Sequence, residues 1–400
     1  MTTESYKDIL SEMETALNEF TNNSPQDAYT YEKRFREITD TYNQHLFQSS
    51  MGEISVSKND KNTLQTGFGK VEIKKRCVMS NFLMGFKISP YSQEQICRMG
   101  SKLPFEEAAE MLSSMLSVEI NAKQAERLCH CYGEELEKLD WTEAYSDGIQ
   151  TKITTDKSSV TYCMADGSML LTREDKWKEV KVGRVFSSDS RIEEISKGRG
   201  HISDSVYSAH FGNSADFWER FSKEIPERKQ LVFICDGGKW LWKYISDCYP
   251  DSIQILDYFH CKEHLYEFAK EFYRDAAQSS KFVDDVFKCL NNKSVENGLK
   301  KIRELKITSK TVQNKRDKLL HYLESNRERI NYGLFLEKGL LIGSGAIEAA
   351  HRNIIQKRLK LSGQRWTIKG AQQIINLRVY DKSKRWDKVL DIIKNQNNAA

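Results

Sequence analysis

Three acidic residues, Asp166, Asp236 and Glu348, stand where a sheet-and-helix core can gather distant carboxylates. Asp166 lies within SVTYCMADGSML, a stretch of strand character, and is followed by Gly-Ser. Asp236 closes the apolar run RKQLVFICDGG. Carboxyl ends of strands in open sheets are where ligands usually bind, and the adjacent Gly237-Gly238 lets a bulky backbone approach closely. Glu348 falls in the first turn of a helix that opens after Gly343-Ser344-Gly345. Acids gathered in one place resist joint ionisation unless a cation joins them, and hard oxygen donors suit Mg²⁺ or Mn²⁺. Two such ions about 3.5–4 Å apart can activate an attacking oxygen and stabilise the leaving oxygen of a phosphodiester. The same arrangement serves hydrolysis, with water as nucleophile, and strand transfer, with a DNA 3′-hydroxyl. Taken singly these signals are weak, because strand-ending aspartates are often turn residues and first-turn glutamates often answer the helix dipole. Their combined order carries the reading.

Other residues compete for the same place or add to it. Asp257 ends a second buried run, SIQILDYFH, and is the main rival to Asp236 as second acid. His260 and His264 follow it as possible accessories, with His260 facing the site from a helix start. His351 and Arg352 come three and four residues after Glu348, so they share its helical face. Lys357, Arg358, Lys360 and Arg365 continue a basic segment fit to hold phosphates. Trp366 is either a platform for an unpaired base or a core anchor.

These residues need elements to carry them. At 400 residues the chain is long enough for two or three domains. A hydrophobic share of 39% with 30% charged residues is that of a soluble globular protein, and no run approaches the roughly 18 apolar residues of a membrane span. MTTESYKDIL has no secretory character, which points to the cytoplasm. A net charge of +4 says little about partners by itself, but acids crowd the first 60 residues and bases the segment after Gly343. Nine cysteines without disulfide rhythm read as reduced, mostly buried thiols.

Along the chain, Ile9, Met13, Leu17 and Phe20 mark helical periodicity in residues 1–48. SSMGEISVSKNDKNTLQTGFG reads as a linker, followed by a short strand piece with Val71 and Ile73. A helix from Phe105 and a second from Ala122 to Leu139, capped by Asn121, fit a helix-turn-helix or any helical hairpin. From Ser158 come three strands, a helix (Phe217, Phe221, Ile225), a strand, a helix and a strand. That order predicts a mixed sheet with helices on its faces. Beyond His264 the pattern is helical, through Phe282, Val286 and Leu290, then Leu299, Ile302 and Leu305, then Leu319, Leu320 and Leu323.

The order of acid in the first strand, acid after the fourth and acid on a late helix is that of an RNase H-like arrangement. The stretches MADGSM, KEVKVGRVF, CDGGKWLW, ILDYFHCKEHL and GSGAIEAAHRNIIQKRLKLSGQRW resemble bacterial insertion-sequence transposases of the Kra type, over residues 64–390. The resemblance implies an α/β catalytic domain, an RNase H-like mixed sheet with an all-α insertion, beside a mainly helical N-terminal region. It implies a DDE transposase that cuts transposon ends and joins them to target DNA. Asp166, Asp236 and Glu348 would hold two Mg²⁺ or Mn²⁺ ions, on a homodimer or larger nucleoid-associated assembly, with no membrane partner. A nuclease on the same core and a non-catalytic DNA-binding protein remain the alternatives. Relatives often carry a Cys-x-x-Cys piece; here only Cys77 and Cys97 remain, so no zinc is predicted there. Cys261-x-x-His264 resembles a Mutator-like motif, but His260, Cys261 and His264 fall short of four ligands. The expected division is an N-terminal helical region (1–57), a strand piece plus DNA-binding helices (58–150), the first part of the core (151–265), a helical insertion (266–342), and the catalytic helix with a basic C-terminal part (343–400).

Overall fold

The computed structural model describes residues 6–23, 25, 27–50, 61–74, 86–116, 118–142, 159–190, 192–196, 199–227 and 230–395. Cys77 lies outside them. The chain divides into two compact units, Met1–Leu139 with Gln372–Ala400, and Asp140–Ala371.

In the first unit, α1 (Tyr6–Asn22) and α2 (Ala28–Ser50) form a helical pair. The expected stripe buries Ile9 and Phe20, and the Phe20 ring meets Tyr31 at 4.8 Å. The linker reading fails at its C-terminal end. Lys61–Thr66 is a strand (β1) paired antiparallel with β2 (Gly69–Lys74), because Leu64 has Val71 and Ile73 to bury against, with Phe47 beside them. Gln48 closes this packing by bonding both the N–H and the C=O of Glu72. Helices α3 (Pro90–Gly100), α4 (Phe105–Met115) and α5 (Ala122–Thr142) follow. Asn121 caps α5 as its sequence predicts: its side chain accepts from Gln124 N–H while Gln124 accepts from Asn121 N–H, a reciprocal capping box. The remaining helices are α15 (Ile368–Lys382), of which Gln372 onward belongs here, and α16 (Trp386–Asn395). Gly133 lets the backbone of Gln373 approach so closely that a Cβ would collide with it, and Asn376 donates to Gly133 O at 2.9 Å. The expected 343–400 piece is thus divided between the units near Ala371, and Arg378, counted among the basic residues, is buried with its guanidinium on Ser101 O.

The second unit is built on a five-stranded mixed sheet. Its strands are β3 (Thr161–Leu171), β4 (Trp177–Ser187), β7 (Val206–His210), β8 (Leu231–Cys235) and β9 (Ile253–Leu256), in the order β7-β4-β3-β8-β9. The first three pair antiparallel; β8 lies parallel to β3 and β9 parallel to β8. A separate hairpin, β5 (Ile192–Ser196) with β6 (Arg199–Ile202), interrupts the meander and was not anticipated. β8 (LVFIC) is buried throughout, and β3 and β4 are buried over Thr161–Ala165 and Val180–Ser187, as a sheet covered on both faces there requires. Helix α6 (Ser214–Ser222) buries Phe217 and Phe221, with Ile225 just beyond, and Gly183 in β4 leaves room for the Phe221 ring. Helix α7 (Lys239–Cys248) follows β8.

After β9 come α8 (Tyr258–Phe272), α9 (Ala276–Asn291), α10 (Val295–Arg303), α11 (Lys310–Ser325), a 3₁₀ turn at Arg327–Ile330 and α12 (Tyr332–Glu337). The predicted residues Phe282, Val286, Leu290, Leu299, Ile302, Leu319 and Leu323 are all in its core. The chain returns to the sheet with α13 (Gly345–His351), which lies against β3 and β4. It then passes through a π-helical turn at Arg352–Gln356 into the short α14 (Lys357–Leu359). Turns of this kind concentrate at functional sites. No helix among the described residues is long and apolar enough to cross a membrane.

Candidate active site

Asp166 and Asp236 come together through strand register. Cys163 pairs with Phe233 across the parallel β3–β8 ladder, and three residues further along both strands the same register sets Asp166 beside Asp236. Each carboxylate is held by its own turn: Asp166 Oδ1 accepts from Gly167 N at 2.6 Å and Asp236 Oδ1 from Gly238 N at 2.9 Å. Burial raises the Asp236 pKa above the usual carboxylate value, and the negative charges of Asp166 and Glu179 raise it further, against the Gly238 bond and the charge of His260. The pair is therefore short of positive charge.

Glu179 is a member that the sequence did not disclose. It stands on β4 opposite Met169, two register positions from the partner of Gly167, and its carboxylate lies over the Gly167 backbone, where a Cβ would come within 2.7 Å of its Cδ. Lys181 holds it at 2.7 Å. The alternation in KEVKV pointed to a strand, but only the missing side chain at position 167 lets this acid reach across.

His351 is the contribution of α13. It is 4% exposed, its Nε2 stands 3.3 Å from Asp166 Oδ2, and neither ring nitrogen makes a hydrogen bond. Glu348, one turn earlier, is exposed. Residues 348 and 351 therefore do not present one common solvent face, because α13 packs on the sheet with its Ile347, Ala350 and His351 side.

Two residues fasten the start of α13. Arg184, buried in β4, donates from Nη1 to Ala346 O at 2.7 Å and from Nε to Ser205 Oγ at 3.0 Å. Asp257 is the other. Its Oδ1 accepts from Ser344 N at 3.0 Å and from Phe259 N at 3.3 Å, while Oδ2 accepts from His260 N at 3.1 Å. It is both the N-cap of α8 and the latch of the Glu348 segment, and it is 4% exposed. Its oxygens are committed to three backbone N–H groups, whereas Asp236 has only Gly238.

His260 and His264 lie one turn apart on α8, ring centroids 4.7 Å apart, and His264 meets the Tyr322 ring at 4.6 Å. Burial and the neighbouring His260 lower the His264 pKa. Cys261 points the other way, into the core, where burial pushes its thiol up to about 12.

The basic segment splits. Lys360 Nζ donates to Ser168 Oγ at 2.6 Å, two residues from Asp166, and desolvation lowers its pKa. Arg352, Lys357 and Arg365 are exposed. Arg358 and Trp366 are corrections to the DNA-binding set: they are 1% and 8% exposed, and the guanidinium lies 4.9 Å from the indole centroid. The indole N–H donates to Leu359 O at 3.2 Å. Both are packing residues that hold the 359–366 turn, so no ring face of Trp366 is open to a base.

Among the described residues no cluster of three or more His, Cys, Asp or Glu side chains is drawn close enough to hold a metal. Asp166 and Asp236 are brought together, and Glu348 is not closed onto them. A two-carboxylate pair nonetheless suits magnesium, which is usually bound through one or two carboxylates plus substrate phosphates, and the charge deficit around Asp236 favours a cation. No family model matches the chain, and no curated protein matches it.

Proposed function

We propose that this chain is a DDE transposase with an RNase H-like core, cutting DNA at transposon ends and joining the freed 3′-hydroxyl to target DNA. The observation that carries the proposal is the closeness of Asp166, midway along β3, to Asp236, just past the end of the neighbouring parallel strand β8. The β7-β4-β3-β8-β9 order, antiparallel in its first three strands and parallel in the rest, supports the RNase H-like assignment. The resemblance of GSGAIEAAHRNIIQKRLKLSGQRW to the Kra-type transposases supports the reaction.

In this reading Asp166, Asp236 and Glu348 hold two divalent cations, magnesium or manganese, which supply Lewis-acid stabilisation of the reacting phosphodiester. The protein's work is positioning and electrostatics. Asp166 and Asp236 offer fixed oxygens from two strands, and Asp257 and Arg184 hold the helix that carries Glu348. Lys360, Arg352, Lys357 and Arg365 bind backbone phosphates beside the acids. In the cutting step water attacks the phosphorus and a 3′-hydroxyl leaves; in the joining step that hydroxyl attacks a target phosphodiester and expels another 3′-oxygen. Two transposon ends must be handled together, so a dimer or larger assembly on DNA follows.

A supercoiled plasmid carrying the gene with its flanking DNA tests the proposal. Wild-type protein with Mg²⁺ should release cut ends and joined products, while Asp166→Asn, Asp236→Asn and Glu348→Gln should bind the DNA and do neither. Nicks without joined products would make the chain a nuclease. Binding without any cut by the wild type would make it a non-catalytic DNA-binding protein.

A further inference from the structure

A groove of about 710 Å³ runs between α8 and α11, away from the acid pair. Its floor is apolar, with Phe268 and Leu319 buried, and the aromatic rings that line it while only partly buried are His264 and Tyr322. At the inner end Tyr322 backs onto the Gly237 backbone, next to Asp236, where a Cβ would lie 2.7 Å from its Oη. The Tyr322 hydroxyl is buried and makes no hydrogen bond. Burial, chiefly, raises its pKa, with the charge of Cys261 and Asp236 adding to the effect. It stays protonated at neutral pH, a donor without an acceptor, and such groups are costly to leave unpaired.

The rim has both signs, but they are not equally available. Glu271 is taken by Lys315 at 2.6 Å, and Glu267 faces His264 at 3.5 Å. Lys270 and Lys318 are exposed, and among the described residues no carboxylate lies within ion-pair distance of either. An aromatic floor with two uncommitted cations on its rim is the chemistry that accepts a base by stacking and the adjoining phosphates by charge.

We propose that this groove binds an unpaired nucleotide of the DNA strand whose phosphodiester lies at Asp166 and Asp236. This rests on the DNA-cleaving reading of the acid pair. The Tyr322 hydroxyl donates to the base or to its phosphate, and Lys270 and Lys318 flank the phosphates on either side.

The test uses the full chain and a duplex with a short unpaired tail, compared with the same duplex made blunt. Wild type should prefer the tailed DNA by about tenfold, the scale of one base stacked on an aromatic side chain. The double variant Lys270→Gln/Lys318→Gln should lose that preference, and its log–log salt slope on tailed DNA should be shallower by about 1.4, two single-strand phosphate contacts. Lys281→Gln/Lys306→Gln, an equal charge change elsewhere in the same helical region, should keep the preference. With 5-iodouracil in the tail, photo-crosslinks should map to the peptides bearing His264 and Tyr322. Equal effects of the two double variants, or crosslinks mapping elsewhere, would overturn the inference even if the plasmid is cut. Crosslinks at His264 and Tyr322 without any cutting by wild type would leave the groove standing and remove the catalytic reading.

Discussion

Removing the Asp257 carboxylate should unfasten the Glu348 helix. In Asp257→Ala, α8 loses its N-cap, worth about 0.5–2 kcal/mol. The Ser344 N–H, on a residue 8% exposed, loses its acceptor, at about 1–3 kcal/mol. Together these predict a loss of about 1.5–5 kcal/mol, which for a unit of this size lowers the Tm by roughly 3–20 °C. Asp257→Asn keeps one oxygen for three N–H groups and should lose about half as much. Because Ser344 opens α13, the helix end shifts while the reacting acids stay intact. Cleavage should therefore fall in kcat by about 10–100-fold, the scale of an ångström of misplacement. Asp236→Asn should do the reverse, abolishing cleavage with no loss of Tm. Scanning calorimetry beside the plasmid assay separates the two residues. Asp257→Asn with an unchanged Tm and no residual cleavage would refute the latch and return Asp257 to the reacting centre.

Three further outcomes follow from the same coordinates. Asp236 has a raised folded-state pKa, so its ionised form opposes folding. Without divalent cations Asp236→Asn should melt above wild type at pH 7, and the gap should narrow as the pH falls through that raised pKa. Magnesium at about 100 times its Kd should stabilise wild type by about 2.7 kcal/mol and leave Asp236→Asn nearly unmoved; equal responses would dismiss the acid pair as a cation site. His210, buried beside Arg220, has its pKa lowered to about 4 from 6.5. The unfolded chain binds the proton more readily, so stability present above pH 6.5 should fall by about 3 kcal/mol as the pH drops toward 4. In His210→Gln a denaturant midpoint series across that range should be flatter. Trp366→Ala should cost about 3–5 kcal/mol in denaturant melts, whereas Arg352→Ala and Arg365→Ala should leave stability within about 0.5 kcal/mol. The arginine changes should instead weaken binding to duplex DNA and lower its salt slope; a Trp366→Ala protein as stable as wild type would remove the packing assignment.

The sheet was legible because its strands are buried on both faces. RKQLVFICDGG and SIQILDYFH read as buried strands; the first becomes β8 inside the sheet and the second β9 at its edge, and with β8 parallel to SVTYCMADGSML the register brings Asp166 to Asp236. The KNTLQT strand was hidden because its one large apolar residue, Leu64, makes no pattern until Val71 and Ile73 are laid beside it. Arg358 was misread, and Trp366 left open between platform and anchor, for a related reason. A basic stretch with one tryptophan looks the same whether its side chains line a groove or pack on each other, and the π-helical turn at Arg352–Gln356 rotates the following residues away from the spacing of a regular helix. Glu179 could not be found at all without knowing that Gly167, diagonal to it on β3, leaves room for its carboxylate.

Asp257 shows most clearly why spacing along the chain is a poor guide to this site. Its carboxylate accepts an N–H from the first turn of α8 and another from Ser344, 87 residues on. The intervening helices leave and return at one strand end, and Tyr258 N–H donates to Ile342 O at 3.0 Å, a second tie at the same junction. The entropy of closing a loop grows only with the logarithm of its length. Helices that pack on one another can therefore fill the excursion without moving its ends. The place of Glu348 is set by Asp257, Arg184 and the face of β3 and β4, not by the number of residues separating it from Asp236. Shortening the excursion inside α9–α10 should accordingly disturb stability before geometry, whereas a change at Asp257 or Ser344 alters the position of Glu348 with every helix of the excursion still present.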